Sequence, residues 1–173
     1  MATTTLNSVP SRRHHFHDLV QIEQLVAGFG WHLSYTQLSP DRLELEVFET
    51  RIGDCLLVRE HFVGPVTAYG HSTPQAYDVM VPRGAGGRIF GQEVTPDRVV
   101  VYPPGCEVDA VGTAGAETSH VQVPKERLLE AAARWGVEPA QAPRAIVAAP
   151  GLDRVHQFHS ALERATTLLE AGA

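Results

Sequence analysis

The sequence predicts a mainly β protein: an antiparallel β-barrel of the jelly-roll kind with one helix before it and two after it. Three observations carry this. Short segments of period-two alternation, about eight in number, recur between residues 31 and 123. The 15 glycines and 12 prolines supply the turns that so many short strands require. Three further stretches, one before the strands and two after them, place their apolar residues at helical spacing. With 173 residues and an apolar fraction of 43%, the chain is long and hydrophobic enough to bury one sizeable core.

The elements follow in order. Residues 1–15 read as a flexible arm, small and polar at first and then rich in Arg and His. Leu19, Ile22, Leu25, Val26 and Phe29 form a helical stripe, ended by Gly28 and Gly30. Trp31, Leu33 and Tyr35 alternate with polar residues, and Ser39-Pro40-Asp41 makes a turn. Leu43, Leu45 and Val47 alternate with Glu44 and Glu46, which gives a strand with one buried and one wet face. Residues 55–63, 66–73 and 75–82 are strands divided by Gly64-Pro65 and Pro74. The glycine-rich residues 83–91 lack the Lys-Ser/Thr ending of a phosphate loop, so they read as a hairpin turn. Val99-Val100-Val101-Tyr102, the tight turn Pro103-Pro104-Gly105, and residues 108–111 and 118–123 complete the set. Pro124 suits the first turn of a helix over residues 125–135 that Gly136 closes. An Ala/Pro-rich connector with an apolar Ile146-Val147 patch leads to a last helix over residues 152–170. The expected organisation is an arm (1–15), a barrel with its leading helix (16–123) and a helical region (124–173).

Charge and composition exclude several function classes. A net charge of -6 argues against a nucleic-acid groove within these residues. No run of about 18 apolar residues is present, and the Arg/His-rich start is no signal-peptide core, so a cytoplasmic protein without a membrane partner is expected. Cys55 and Cys106 then read as reduced packing residues.

Nine histidines invite a metal, since imidazole is the commonest ligand. Metal-holding barrels of the cupin type use a His-x-His pair on one strand, a carboxylate shortly after and a late histidine. The His-x-His here, His15 and His17, lies before the first strand, and Glu60-His61 and His71 fall singly on strands. His120 is late enough to be the last ligand but shows no partners in sequence. No metal and no cofactor are expected. Neither a Gly-x-Ser-x-Gly elbow nor a Cys with a sequence-local His is present, so no catalytic residue is assigned.

An aromatic wall with a few placed polar groups is what a small-ligand pocket needs. Trp31, Tyr35, Arg59, His61, Tyr69, His71 and Tyr77 fall on strands or at their ends and are the candidate ligand-binding set. Arg59 and His61 share one face of their strand, and Tyr69 and His71 one face of the next. The plainer alternative is that the aromatics fill the core and the polar groups look outward.

From His15 to Arg134 the chain resembles the N-terminal effector-sensing and dimerisation domain of AraC-type transcription regulators. The carrying segments are Gly30-Trp31-His32-Leu33-Ser34, Leu43-Glu44-Leu45-Glu46-Val47 with Cys55-Leu56-Leu57-Val58-Arg59, Val79-Met80-Val81-Pro82, Val99-Val100-Val101-Tyr102-Pro103-Pro104-Gly105, and Val121-Gln122-Val123-Pro124-Lys125-Glu126-Arg127-Leu128. The resemblance is one of pattern over about three quarters of the chain. It implies a cupin-like barrel without catalytic metal, a small-molecule effector in the barrel, and helices that pair two subunits. It implies DNA contact through a helix-turn-helix domain whose pattern is not found after residue 149, so this segment alone is expected not to bind DNA. The residues His14 to His17 are a candidate lid by the same analogy.

The expected function is therefore the regulatory domain of such a regulator; the alternatives are a cupin-type enzyme acting on a small polar metabolite and a purely structural dimerisation module. For the homodimer, Leu152, Val155, His159, Leu162, Thr166 and Leu169 are spaced by three and four, a heptad seam over nearly three repeats. A helix docking on its own barrel would be amphipathic too.

Overall fold

A computed structural model of the chain describes residues 11–40, 42–84, 86–139, 141–148 and 152–171, apart from the side chains of residues 152, 166 and 169–171. It is mainly β, with two antiparallel sheets facing each other and three helices. The larger sheet has the order β1 (Ser11–Phe16), β3 (Leu45–Ile52), β4 (Cys55–Phe62), β11 (Ala116–Pro124), β6 (Ala76–Pro82), β9 (Val99–Tyr102), β12 (Ile146–Ala148). The smaller has β2 (His32–Gln37), β5 (Val66–His71), β10 (Glu107–Gly112), β7 (Gly87–Ile89), β8 (Gln92–Val94).

The turns are local and chemically specified. β3 and β4 are joined through Gly53, which takes a positive φ of 63° between the paired residues Ile52 and Cys55. β7 and β8 are joined by Phe90 and Gly91, both at positive φ (47° and 75°), as the two-residue hairpin turn compatible with strand twist demands. Two glycines in the same stretch do something different. A Cβ on Gly86 would lie 1.9 Å from the Val94 carbonyl oxygen, and one on Gly87 would lie 2.0 Å from that of Val111. The glycine-rich stretch is thus half turn and half close strand approach.

The inner faces of the sheets form two packed clusters. One gathers Ile22, Leu45, Leu56, Val58 and Phe62; the other gathers Val26, Trp31, Val100, Tyr102 and Val108. Phe29 and Tyr35 pack against both. Helix α1 (Leu19–Gly28) lends Ile22 and Val26 to these clusters. Its first turn is capped by the Asp18 side chain, which accepts from the Val20 N–H at 2.8 Å. The Tyr35 backbone N–H donates to Glu23 at 2.9 Å, which ties α1 to β2.

Helix α2 (Lys125–Trp135) ends at Gly136 in the left-handed conformation, φ 62°, as its sequence predicts. Its Arg127 is ion-paired with Asp54 in the β3–β4 turn. Helix α3 (Leu152–Ala171) lies on the outer face of the larger sheet. Leu162, with Phe158 and Ala165, packs against Leu57, Val81, Val99 and Val121, and Arg83 bridges to Glu163 at 2.7 Å and Glu117 at 3.4 Å. Val155 is fully buried.

Three expectations change. Residues 11–15, expected in a flexible arm, form most of β1, paired to β3 with His14 and His15 beside Glu49 and Glu46 at 3.0 and 3.5 Å; charge complementarity along an edge strand had no apolar signature. Residues 1–10 of that arm lie outside the described residues. The Ile146-Val147 patch, expected in a connector, is β12, paired with β9. The apolar face of α3, expected to meet a second copy, is turned at Leu162 onto the chain's own sheet, and His159 is half-buried there, its imidazole pushed below its ordinary range by burial. The side chains of Leu152, Thr166 and Leu169 lie outside the described residues.

Candidate functional site

Between the two core clusters, and lined by members of both, lies a cavity of about 130 Å³. Most of its wall is apolar: Val58, Phe62, Val66, Ala68, Met80 and Val108 among others, with Phe29 from the end of α1. Gly86, Gly87 and Gly112 line it as well, and at Gly86 and Gly87 the strands approach too closely for side chains. Aromatic rings stand around it. Trp31 meets Tyr102 edge-on at 5.0 Å and His120 at 6.5 Å, and Tyr35 stacks on Phe62 at 6.3 Å.

One part of the wall is polar, and strand register explains why. Thr118, His120 and Gln122 alternate on the inner face of β11, the strand between β4 and β6. Thr118 pairs across to Glu60 on β4, Gln122 to Asp78 on β6, and His120 sits opposite Val58 and Met80. Glu60 and Asp78 are therefore diagonal neighbours of His120, one on each side, within reach of a long side chain. The His120 Nδ1–H donates to Asp78 Oδ1 at 2.9 Å. The Nε2–H faces Thr118 Oγ1 at 3.2 Å and Glu60 Oε2 at 3.5 Å, and the Thr118 hydroxyl donates to Glu60 Oε2 at 3.4 Å.

The electrostatics follow from this arrangement. Burial by itself pushes the His120 imidazole down, but Asp78 and Glu60 outweigh it and hold the imidazole up at about 10. The site thus contains an imidazolium between two carboxylates. Burial, with Glu60 as the nearby negative charge for Tyr35 and Asp78 and Glu60 for Tyr102, pushes both phenols well above their ordinary range, so both stay protonated. Among the described residues neither hydroxyl has a protein hydrogen-bond partner, although Tyr102 is only 4% exposed. Chemically the polar wall offers carboxylate acceptors and phenolic donors. With both ring nitrogens of His120 donating, it offers no free imidazole lone pair.

Of the ligand-binding candidates, Trp31 and Tyr35 line the cavity. Arg59, His61, Tyr69, His71 and Tyr77 do not: they alternate with the residues that do. On β4 the inward residues are Val58, Glu60 and Phe62, so Arg59 and His61 face out. On β5 Val66 and Ala68 face in, and Tyr69, 58% exposed, donates from its hydroxyl to Glu107 on the outer surface, with His71 exposed beyond it. On β6 Asp78, Met80 and Pro82 face in, which turns the buried Tyr77 to the other face. The residues missed are Glu60, Asp78 and His120. A signal existed: in Leu56, Val58, Glu60, Phe62 a carboxylate interrupts an otherwise apolar face. Among the described residues no group of three or more His, Cys, Asp or Glu is disposed to hold a metal ion. No helix among them is long and apolar enough to cross a membrane.

No family model and no curated protein matches the chain. Among solved structures it is similar to the AraC-like transcriptional activator CuxR, with 14% identity, a TM-score of 0.49 and coverage of 72% of this chain and 52% of that one. The chain spans about half the length of that solved relative.

Proposed function

We propose that the chain is a sensing module, the regulatory domain of an AraC-type transcription regulator, which holds a small organic effector in the barrel cavity and carries out no chemistry on it. The observation that carries this reading is the cavity itself: an apolar, aromatic-rimmed space with one polar wall, built where two core clusters leave a gap. A general base needs a free lone pair, and His120 commits both ring nitrogens as donors, which favours binding over catalysis.

Signal transmission would run through the sheet. The strands that carry Glu60, Asp78 and His120 on their inner faces carry Leu57, Val81 and Val121 on their outer faces, under α3. An effector that favours one spacing of β4, β11 and β6 thereby favours one seating of α3, which is the differential affinity that linkage requires. Pairing of two copies belongs to the same reading. With Leu162 and Val155 taken up inside the chain, it falls to the outward faces of α2 and α3, where Trp135 and Leu168 are 82% and 74% exposed. DNA contact would be made by a domain outside these residues.

The test is a thermal-shift screen of small amphipathic molecules on wild type and on Ala68→Phe, which fills the cavity from its wall. A ligand at a hundredfold excess over its Kd adds about 2.7 kcal/mol, or roughly 5–10 °C for a domain of this size. Shifts in wild type that vanish in Ala68→Phe support the reading. The absence of any shift, or shifts that persist in the filled variant, rejects it; Ala110→Leu serves if Ala68→Phe does not fold.

A further inference from the structure

The cavity wall carries an uncompensated charge, and that charge states what kind of molecule belongs there. Glu60 and Asp78 bring two negative charges, and the imidazolium of His120 between them brings one positive. The other charged residue on the wall, Arg88, stands exposed on β7 in the opposite sheet and forms no ion pair with either carboxylate. Beside the carboxylates themselves one negative charge is left, held in a pocket whose remaining wall, apart from Arg88, Thr118 and Gln122, is apolar and aromatic. An unpaired charge in such surroundings is costly until a counter-charge reaches it.

Three further features point to the same class. The Asp78 side chain is 3% exposed, so a counter-ion must enter the cavity to meet it rather than approach from outside. Trp31, Tyr35, Phe62 and Tyr102 present ring surface to the same space, and ring faces attract cations. The free hydroxyl of the buried Tyr102 supplies a partner for a second polar atom of the ligand. Size sets the rest: a dry cavity of about 150 Å³ holds a benzene-sized molecule, and this one has about 130 Å³.

We propose that the cavity takes a small organic monocation, a protonated amine on a compact aromatic or branched aliphatic body, with the ammonium group at Glu60 and Asp78 and the apolar body among the rings. The proposal rests on the sensing-module reading above and names its effector class. Carboxylic acids are repelled by the polar wall, and neutral isosteres leave its charge unbalanced.

The experiment measures the binding of benzylamine, benzyl alcohol and benzoate to the intact chain by calorimetry at neutral pH, in wild type and in Glu60→Gln. Glu60→Gln keeps the shape of the wall and leaves Asp78 and His120 as a neutral pair. The expected result is benzylamine bound about tenfold or more tightly than benzyl alcohol, with benzoate not bound. The preference should shrink to about threefold or less in Glu60→Gln, whose folding is checked by circular dichroism; Asp78→Asn replaces it if it does not fold. Benzyl alcohol binding as tightly as benzylamine, blocked by Ala68→Phe, overturns the monocation proposal and leaves the cavity reading intact. An amine preference that is unchanged in both carboxylate variants also overturns it. If none of the three binds while other members of the thermal-shift panel do, the amine proposal alone falls; if nothing binds, both fall.

Discussion

His120 makes the stability of this protein depend on pH in a direction opposite to that of a histidine that is buried without a charged partner. Its imidazole is raised from 6.5 to about 10 by Asp78 and Glu60. A group whose proton affinity is higher in the folded state stabilises the fold fully below its unfolded value, and that contribution is lost as pH rises through the folded value. The window is therefore pH 6.5 to 10. Each tenfold in proton affinity corresponds to about 1.4 kcal/mol, so the proton-linked part amounts to as much as ~5 kcal/mol. The assay is urea denaturation at several pH values across this window, comparing wild type with His120→Asn. Wild type should lose stability steadily with rising pH, and the variant should lack that component of the slope. Since His120→Asn leaves two carboxylates facing each other with no cation, it starts lower by roughly 3–5 kcal/mol. Nitrogen NMR of the wild-type imidazole supplies a second reading that needs no variant: both ring nitrogens should remain protonated at pH 8. Parallel pH profiles for the two proteins, together with a neutral imidazole at pH 8, would refute the charge assignment at the polar wall.

Other consequences are equally direct. Leu162→Ala should cost ~2–4 kcal/mol by opening a void against Leu57 and Val81, and the loss should be the same at every protein concentration. A loss that depends on concentration would place Leu162 between copies instead. Gly87→Ala should destabilise by ~2–3 kcal/mol, since its Cβ would fall 2.0 Å from the Val111 carbonyl oxygen and force two strands apart; an unchanged melting temperature would contradict that close approach. Ellman's reagent should react with the half-exposed Cys55 in the native state and with the buried Cys106 only on unfolding, and both thiols should titrate in denaturant. A single titratable thiol, or none, would show oxidation instead.

The candidate site was only half legible, and particular residues show why. The sequence places Trp31 and Tyr35 on a pocket wall, because an aromatic on an alternating strand that also carries Leu33 has an obvious inner face. The same alternation suggests Arg59 and His61 for that wall, and they lie on the opposite face. On β4 both faces carry apolar residues: Leu56, Val58 and Phe62 face the barrel, and Leu57 faces α3. Alternation separates two faces without saying which one is inside when a helix covers the other. The same ambiguity hid Glu60, which stands between Arg59 and His61. In sequence His120 is a late histidine without visible partners, because its partners are 42 and 60 residues earlier in the chain.

What the sequence determined by itself was everything governed by neighbours in the chain. The period-two segments, the hairpin turn within residues 83–91, the helix over Lys125–Trp135 and its closure at Gly136 all rest on local backbone preferences and local hydrogen bonds. These add up to the fold class. What only the tertiary structure decided was which strands lie side by side, which face of each is inside, and where α3 docks. Those choices depend on pairings across tens of residues, where β11 enters between β4 and β6 and brings Thr118, His120 and Gln122 into register with Glu60 and Asp78. A buried imidazolium between two carboxylates is a property of that register. No residue on any one strand carries it, because Coulomb interaction depends on distance through space and not on separation along the chain.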